Sequence, residues 1–599
     1  MTTAPAEMKN SDTLGDLPVW DLDDLYPGTD SAELNADLDR AAREAGAFSA
    51  KYRGKLAGLS GTALGGAIAE YEAVDEIMGR IMSYAQLVYA GNVSDPGVGR
   101  FYQTMQERVN DISGDLLFFA LELNGIDDRV LAKQMKAAEA AVYKPWVEDA
   151  RLFRPHQLDE EIERLLHDKY VAGRAAWNRL FDETMADMRF DHDGQKITSE
   201  EVMNMLSNPD EGVRKKASET LGRELRKHGR IFSLITNTLA KDKEIEDKWR
   251  KYPRPESFRN LANQVEDEVV DALNSAVQGS YPALSHRYYA MKAKWFGKEQ
   301  LDHWDRNAPL PDADNTVIPW KQATETVLSA YGDFSPDLAD IGKRFFDNAW
   351  IDAPVREGKS SGAFAHPTVP SAHPYLLLNY QGKTRDVMTL AHELGHGCHQ
   401  VLAAPQGNLM ANTPLTLAET ASVFGEMLTF RRMLRSQDDP ARRKVMLAGK
   451  VEDMLNTVVR QIAFFNFELR VHTARREGEL TAEDICDIWM GVQTESLGPA
   501  IRFDDNYRWY WTYIPHFIHS PFYVYAYAFG DCLVNSLYAV YENASDGFAD
   551  KYLDMLRAGG TLRHTDLLAP FGLDASDPAF WQKGIGVVSG LIDELEAMD

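Results

Sequence analysis

The sequence predicts a mainly α-helical protein, with a helical N-terminal lobe followed by a larger second part. Three observations lead there. Apolar residues recur three and four apart through stretches such as SAELNADLDRAAREAGAFSAKY (31–52) and RFYQTMQERVNDISGDLLFFALEL (100–123), the period of a helix that buries one stripe. Only GAFAH (362–366) and PYLLLNY (374–380), on either side of a Pro-rich loop, read clearly as strands. No repeat of fixed period and no low-complexity tract is present, which disfavours solenoids and arrays.

Taken in order, helical spacing runs from Ser31 to about Leu180. Asp193-Gly194 then predicts a tight turn between short apolar-polar segments. TSEE (198–201) carries a capping pattern that restarts helix. A boundary near Ser207 divides the chain into an N-terminal helical lobe, 1–206, and a second part, 207–599. Helices resume to about Lys298, and LDHWDRNAPLPDADNTVIPW (301–320) reads as a long irregular connection rich in Pro, Asn and Asp.

Composition narrows the function. With 599 residues, 44% hydrophobic and 26% charged, the chain can bury a large core. Three cysteines, Cys398, Cys486 and Cys532, cannot build a disulfide framework, which fits a reducing compartment. The N-terminal segment has no apolar stretch of signal-peptide length, and no run of about 18 apolar residues could span a bilayer. The expectation is a soluble cytoplasmic protein without a membrane partner. A net charge of -27 with no Lys/Arg tract excludes tight nucleic-acid binding. Oligomeric state is left open.

The densest cluster of chemistry is TLAHELGHGCHQ (389–400). Thr384 is a plausible N-cap with Asp386 in the first turn, and no proline interrupts the following residues, so helix is expected. Four residues advance about 6 Å along a helix and turn about 40° past a full revolution, so His392 and His396 project from one face toward one point. That geometry can hold a zinc ion. Glu393, beside the pair, can take a proton from water, as the glutamate of an HExxH hydrolase does.

Such a site needs a third protein ligand and an open position. A third histidine in the HExxHxxGxxH pattern is excluded because that position is Leu402. His399 shares the face but lies a turn too far, which favours a supporting or core role, and Cys398, rotated off the face, reads as a small buried hydrophobe. TPLTLAETASVFGEMLTF (413–430) predicts a second helix with Glu419 and Glu426 on one face among small and apolar residues. Buried carboxylates need a partner. Glu419, 23 residues after His396, is the expected third ligand, with Glu426 orienting an imidazole.

PYLLLNYQGKTRDVMTLAHELGH, followed by ETASVFGE, closely resembles the oligoendopeptidase F branch of the thimet-oligopeptidase-like zinc peptidases. WDLDDLYPG, SYPALSHRYYAMKAKWFG, DRNAPLP and IPHFIHSPFYVYAYAFG extend the resemblance over most of the chain. It implies a two-lobed, neurolysin-like helical fold with a small β-sheet beside a deep active-site channel. It also implies one Zn2+ per chain and hydrolysis of internal bonds in short unstructured peptides. By motif position His392, His396 and Glu419 become the zinc ligands and Glu393 the general base.

The resemblance also casts PYLLLNYQG as an edge strand to which substrate adds its backbone, with GAFAH beside it; from the residues alone it reads as core strand. PHFIHSPFYVYAYAFG (515–530) reads from its residues as an aromatic core element. The resemblance makes His516 and Tyr527, and also Tyr523, oxyanion donors. Related sequences often read PFYYIDY where this chain has Val524, Tyr525 and Ala526, which leaves Tyr525 open. His366 and His373 are unassigned. The alternatives are a peptidyl-dipeptidase or carboxypeptidase-like activity on the same fold, and a catalytically silent peptide-binding protein.

Overall fold

The computed structural model describes residues 13–170, 172–310, 317–543 and 546–598. The first twelve residues, where the reading of the N-terminal segment begins, and residues 311–316 of the expected irregular connection lie outside these ranges. Helices dominate, and the strands among the described residues form three small sheets of two, two and three strands. The mainly α fold class is therefore correct. The chain divides into two compact units, each assembled from three separated stretches. One comprises Met1–Arg154, Asn315–Ser436 and Asn543–Gly572; the other comprises Pro155–Asp314, Gln437–Glu542 and Leu573–Asp599.

In the second of these units the spine is a helix of 40 residues, Glu211–Arg250, begun by the Asp210 carboxylate, which accepts from the N–H of Val213. Gly222 and Gly229 give it a flat face: a methyl at either would strike Asn506 or the Trp509 ring. Phe190–His192 and Gln195–Ile197 form an antiparallel hairpin through Asp193 and Gly194, both at positive φ (54° and 79°). This is the twist that a two-residue Asp-Gly turn supplies. Thr198 and Glu201 then close the expected capping box. Hairpin, capped helix and spine all pack within this unit, so the division expected near Ser207 coincides with neither unit's limits. Residues 301–310 are more regular than expected, with a strand, Leu301–Asp302, paired in parallel to Ile501–Arg502. Arg214, buried in the spine, binds Asp305 at 2.7 Å just beyond that strand.

The other unit holds the HExxH segment. Its three-stranded sheet has Tyr375–Leu377 in the middle, parallel to Ile351–Asp352 and antiparallel to Phe364–His366. All three residues of the middle strand are fully buried. PYLLLNY is thus the central strand and GAFAH the edge, the reverse of the roles the family resemblance implied. Pairing on both sides satisfies a backbone that an all-apolar strand could not leave bare. Lys359 ties the sheet's end, with its Nζ 2.7 Å from Asp352 Oδ1 and 2.6 Å from the Leu378 carbonyl.

The free cysteines Cys398, Cys486 and Cys532 are all buried, Cys398 with its thiol 3.9 Å from the Leu338 carbonyl. No helix among the described residues is long and apolar enough to cross a membrane.

Candidate active site

The HExxH segment forms a helix, Thr384–Ala403. Thr384 is its first helical residue rather than its cap. Capping comes from Asp386, whose carboxylate accepts from the N–H groups of Gln381 and Lys383, both at 2.9 Å. Gly395, inside the motif, presses on the helix Thr420–Arg435, where a methyl would collide with the Ala421 carbonyl. Gly425 makes room on the facing helix for the Tyr331 ring, whose hydroxyl donates to the Ala391 carbonyl at 2.6 Å. These two glycines bring the motif helix and the glutamate-bearing segment together.

Glu419 does not lie within one continuous helix as expected. A short helix, Leu415–Ala418, ends at it and Thr420–Arg435 begins after it. At this corner the Ser422 hydroxyl donates to Glu419 Oε2 at 2.7 Å and lies 3.1 Å from the Glu419 carbonyl. The Tyr552 hydroxyl anchors the next residue through the Thr420 carbonyl at 2.8 Å. Behind this corner Phe334, Phe424 and Tyr552 pack with ring centroids 4.5–5.4 Å apart.

His392, His396 and Glu419 converge. Glu419 Oε2 lies 3.3 Å from His392 Nε2 and 3.4 Å from His396 Nε2, and the two rings stand nearly perpendicular with centroids 4.9 Å apart. One donor atom from each falls within 4.8 Å of the others. Two ligands bound about 2.05 Å from a tetrahedral ion stand about 3.3 Å apart, whereas a charged N–H···O bond contracts to about 2.7–2.9 Å. The observed spacing matches a shared ion, and two imidazoles with one carboxylate are a donor set that suits zinc. Glu426 Oε2 sits 3.3 Å from His392 Nδ1.

Electrostatics follow from this crowding. In the metal-free site burial pulls His392 down, but the Glu419 and Glu426 carboxylates beside its two nitrogens outweigh it and lift its pKa to about 10, a proton that a bound metal would displace from Nε2. Burial alone would raise Glu419, yet the two imidazoles hold it well below the usual carboxylate range. Glu393 is buried, and burial raises its pKa against the opposing pull of His392 and His396. The Ala365 N–H on the edge strand also donates to Glu393. A buried carboxylate with a raised pKa suits proton transfer near neutral pH.

Three further histidines of this unit serve the scaffold. His399, whose pKa burial lowers to about 4, bonds the Thr413 hydroxyl at 3.2 Å and the backbone of Ala418. It therefore ties down the loop leading to Glu419. His373 stacks on Trp350 at 3.9 Å and pairs with Asp24 at 3.0 Å. His366, on the edge strand, accepts from the Thr368 N–H at 3.0 Å. A cavity of about 470 Å³ runs along the motif helix, lined by His396, His399, Gln400, Thr413, His373 and Arg344 among others.

The aromatic segment belongs to the other unit. His516 opens the short helix His516–His519, and the hydroxyl of Tyr527 is 3.4 Å from its Nε2. Tyr523 completes a cluster, 6.1 Å from His516 and 5.3 Å from Tyr527 between ring centroids. Burial, with the nearby charges of Arg460 and His519, pushes His516 down. Tyr525 is separate: its ring is fully buried and its hydroxyl accepts from Asn263 Nδ2 at 2.9 Å. The partners Thr413, Ala418 and Ala365 are backbone or small polar groups that leave no pattern in a sequence.

The chain is similar to peptidases throughout. A model of peptidase family M3 matches residues 204–587, and one described as oligopeptidase F matches residues 122–190. Oligopeptidase PepF of Bacillus subtilis (strain 168) is 26% identical over 610 residues, covering 99% of this chain and 88% of that protein. The chromosomal oligoendopeptidase F of Lactococcus lactis subsp. cremoris is 27% identical over 430 residues, 70% of each chain. Among solved structures, a Chlamydophila abortus chain superposes with a TM-score of 0.85 at 22% identity, covering 97% of this chain and 98% of that one. Oligoendopeptidase-F of Enterococcus faecium gives 0.69 at 20% identity, covering 94% and 99%. Because the family match spans the HExxH helix, the Glu419 corner and the aromatic segment alike, this chain belongs to peptidase family M3, a family of metallopeptidases, and is a peptide hydrolase.

Proposed function

We propose that the protein is a zinc-dependent oligoendopeptidase that cuts internal bonds of short, unstructured peptides, with one zinc per chain held by His392, His396 and Glu419. The observation that carries this reading is the pair of 3.3 and 3.4 Å separations from Glu419 Oε2 to the two imidazole nitrogens, the spacing of ligands around one tetrahedral ion. Bound zinc supplies a Lewis acid that polarises the scissile carbonyl and makes water acidic. Glu393 takes the water proton on its carboxylate and passes it to the leaving amine. Glu426 fixes the tautomer of His392 by accepting at Nδ1. His516 and Tyr527, with Tyr523, donate to the oxyanion of the tetrahedral intermediate.

An extended substrate pairs with the sheet's outer strand, Phe364–His366, rather than with Tyr375–Leu377, which already has two neighbours. A cytoplasmic location belongs to the same proposal. The names of the relatives, oligopeptidase and oligoendopeptidase, favour internal cleavage over removal of C-terminal dipeptides.

The test uses purified protein, metal analysis and peptides quenched at both ends, alongside a stable folded protein and the same protein unfolded. The expected result is one zinc per chain and internal cleavage of peptides and unfolded chain only. A chelator should abolish cleavage and added zinc should restore it. Cleavage that survives full removal of the metal, or rapid digestion of the folded protein, would overturn the reading.

A further inference from the structure

Within the unit that carries His516, the helix Val459–Glu477 holds a carboxyl group the hydrolytic scheme does not use. Glu468 is 2% exposed. Its Oε1 accepts from the N–H of Phe522 at 2.8 Å, and its Oε2 has no hydrogen-bond partner among the described residues. Phe522 is itself unusual. Its φ is +59°, a left-handed conformation that a bulky side chain adopts only when its surroundings compel it. The Phe522 ring is fully buried, 6.1 Å from the Phe465 ring and 4.9 Å from that of His472, both on the same helix as Glu468.

The segment just before Phe522 is pinned through its backbone. Arg174 Nη2 donates to the Ile518 carbonyl at 2.9 Å, and Arg259 Nε to the Pro521 carbonyl at 3.4 Å. The Arg259 guanidinium also lies over the Tyr523 ring, 5.7 Å from its centroid. Downstream, the N–H of Ala526 bonds the Tyr523 carbonyl and that of Tyr527 the Val524 carbonyl. The backbone direction set at Phe522 thus passes directly into the turn of chain that bears Tyr523 and Tyr527. Glu468 supplies the acceptor for the one N–H that the left-handed residue directs into the core.

We propose that Glu468 is a positioning residue: by accepting the Phe522 N–H it holds the left-handed turn that sets Tyr523 and Tyr527 in register with His516. This rests on the oxyanion role proposed for Tyr527. A carboxyl group kept out of water is costly, and burial lifts its pKa to about 8 against the opposing pull of the Phe522 N–H, Arg259 and Lys243. A residue serving packing alone would be better replaced by leucine or methionine.

The test compares Glu468→Leu and Glu468→Met, which remove the acceptor, with Glu468→Gln, which keeps it, all in the full chain. Zinc content, thermal midpoint and the kcat and KM for a quenched peptide are measured. In parallel, protein labelled with 3-fluorotyrosine is followed by 19F NMR, with resonances assigned through Tyr523→Phe and Tyr527→Phe. The expected result for the apolar variants is unchanged zinc, a midpoint no lower than wild type, kcat at least about tenfold lower, KM within about twofold and displaced Tyr523 and Tyr527 resonances. Glu468→Gln should return kcat to within about threefold and restore the resonances. Unmoved resonances in whichever apolar variant folds would overturn the proposal. So would equal losses in the apolar and Gln variants. Displaced resonances in the apolar variants with normal kcat in Tyr527→Phe would instead remove the oxyanion reading and leave the positioning intact.

Discussion

Glu426 Oε2 stands 3.3 Å from Nδ1 of His392, while the Nε2 of the same ring faces Glu419. A carboxylate at Nδ1 locks the proton there and leaves Nε2 with a lone pair, the state in which imidazole binds a metal. Glu426→Ala should therefore weaken zinc binding by about 10- to 100-fold without removing a ligand. Competition against a chromophoric chelator measures this, and an unaltered affinity would deny the carboxylate any part in the site.

Metal binding and proton transfer should separate cleanly between two glutamates. Glu393→Gln should keep a full complement of zinc and lose turnover by at least about 10²-fold. Glu419→Ala should do the reverse at the level of binding, emerging from dialysis with little metal, because two imidazoles alone hold zinc poorly. Metal analysis and peptide assays on both proteins decide it. A zinc-replete Glu419→Ala would mean the third ligand is another residue.

Two tyrosines two positions apart should behave differently. Tyr527→Phe should lower kcat by about 10²-fold with little change in KM, as for a donor that acts in the transition state. Tyr525→Phe should leave kcat near wild type but cost about 1 kcal/mol of stability, because its hydroxyl accepts from the buried Asn263 amide. Equal effects on kcat from the two changes would contradict the separation seen in the structure.

Glu468 also makes a prediction about pH. Burial raises its folded-state pKa from 4.5 to about 8. Between those values the folded protein holds a proton that the unfolded chain has released, so stability falls as pH rises and levels off above about pH 8. At roughly 1.4 kcal/mol per unit, wild type should lose about 3 kcal/mol between pH 4.5 and 7 relative to Glu468→Gln, which has no such slope. Denaturant melts of both proteins across this range measure the difference, and parallel curves would show that the carboxyl titrates normally.

The motif helix was legible because nothing in 384–403 competes with its period and because two imidazoles four apart admit one geometry. The Asp193-Gly194 turn was legible because its residue types dictate its dihedrals. The order of the three-stranded sheet was not. The partner that makes Tyr375–Leu377 central is a two-residue strand, Ile351–Asp352, too short to show a period and joined by parallel pairing. The break at Glu419 was invisible too, since neither Gly nor Pro marks it. Glu468, in FFNFELR, reads like any charged residue on a helix. Its hydrogen-bond partner, the Phe522 N–H, lies 54 positions later. The two units interleave along the chain, and no local pattern reveals which distant stretches pack together.

The three buried thiols give the molecule its own clock for opening. Thiolate is the form that reacts with disulfide reagents, and burial raises the pKa of Cys398 and Cys532 well above normal and that of Cys486 to about 11. Each sulfur is therefore silent while its surroundings stay closed and reacts only when they part. Cys398 sits in the HExxH helix of one unit, and Cys486 and Cys532 in the other. Proteins retaining a single cysteine would thus time the loosening of the metal-bearing unit and of the aromatic unit separately, at unlabelled, native positions.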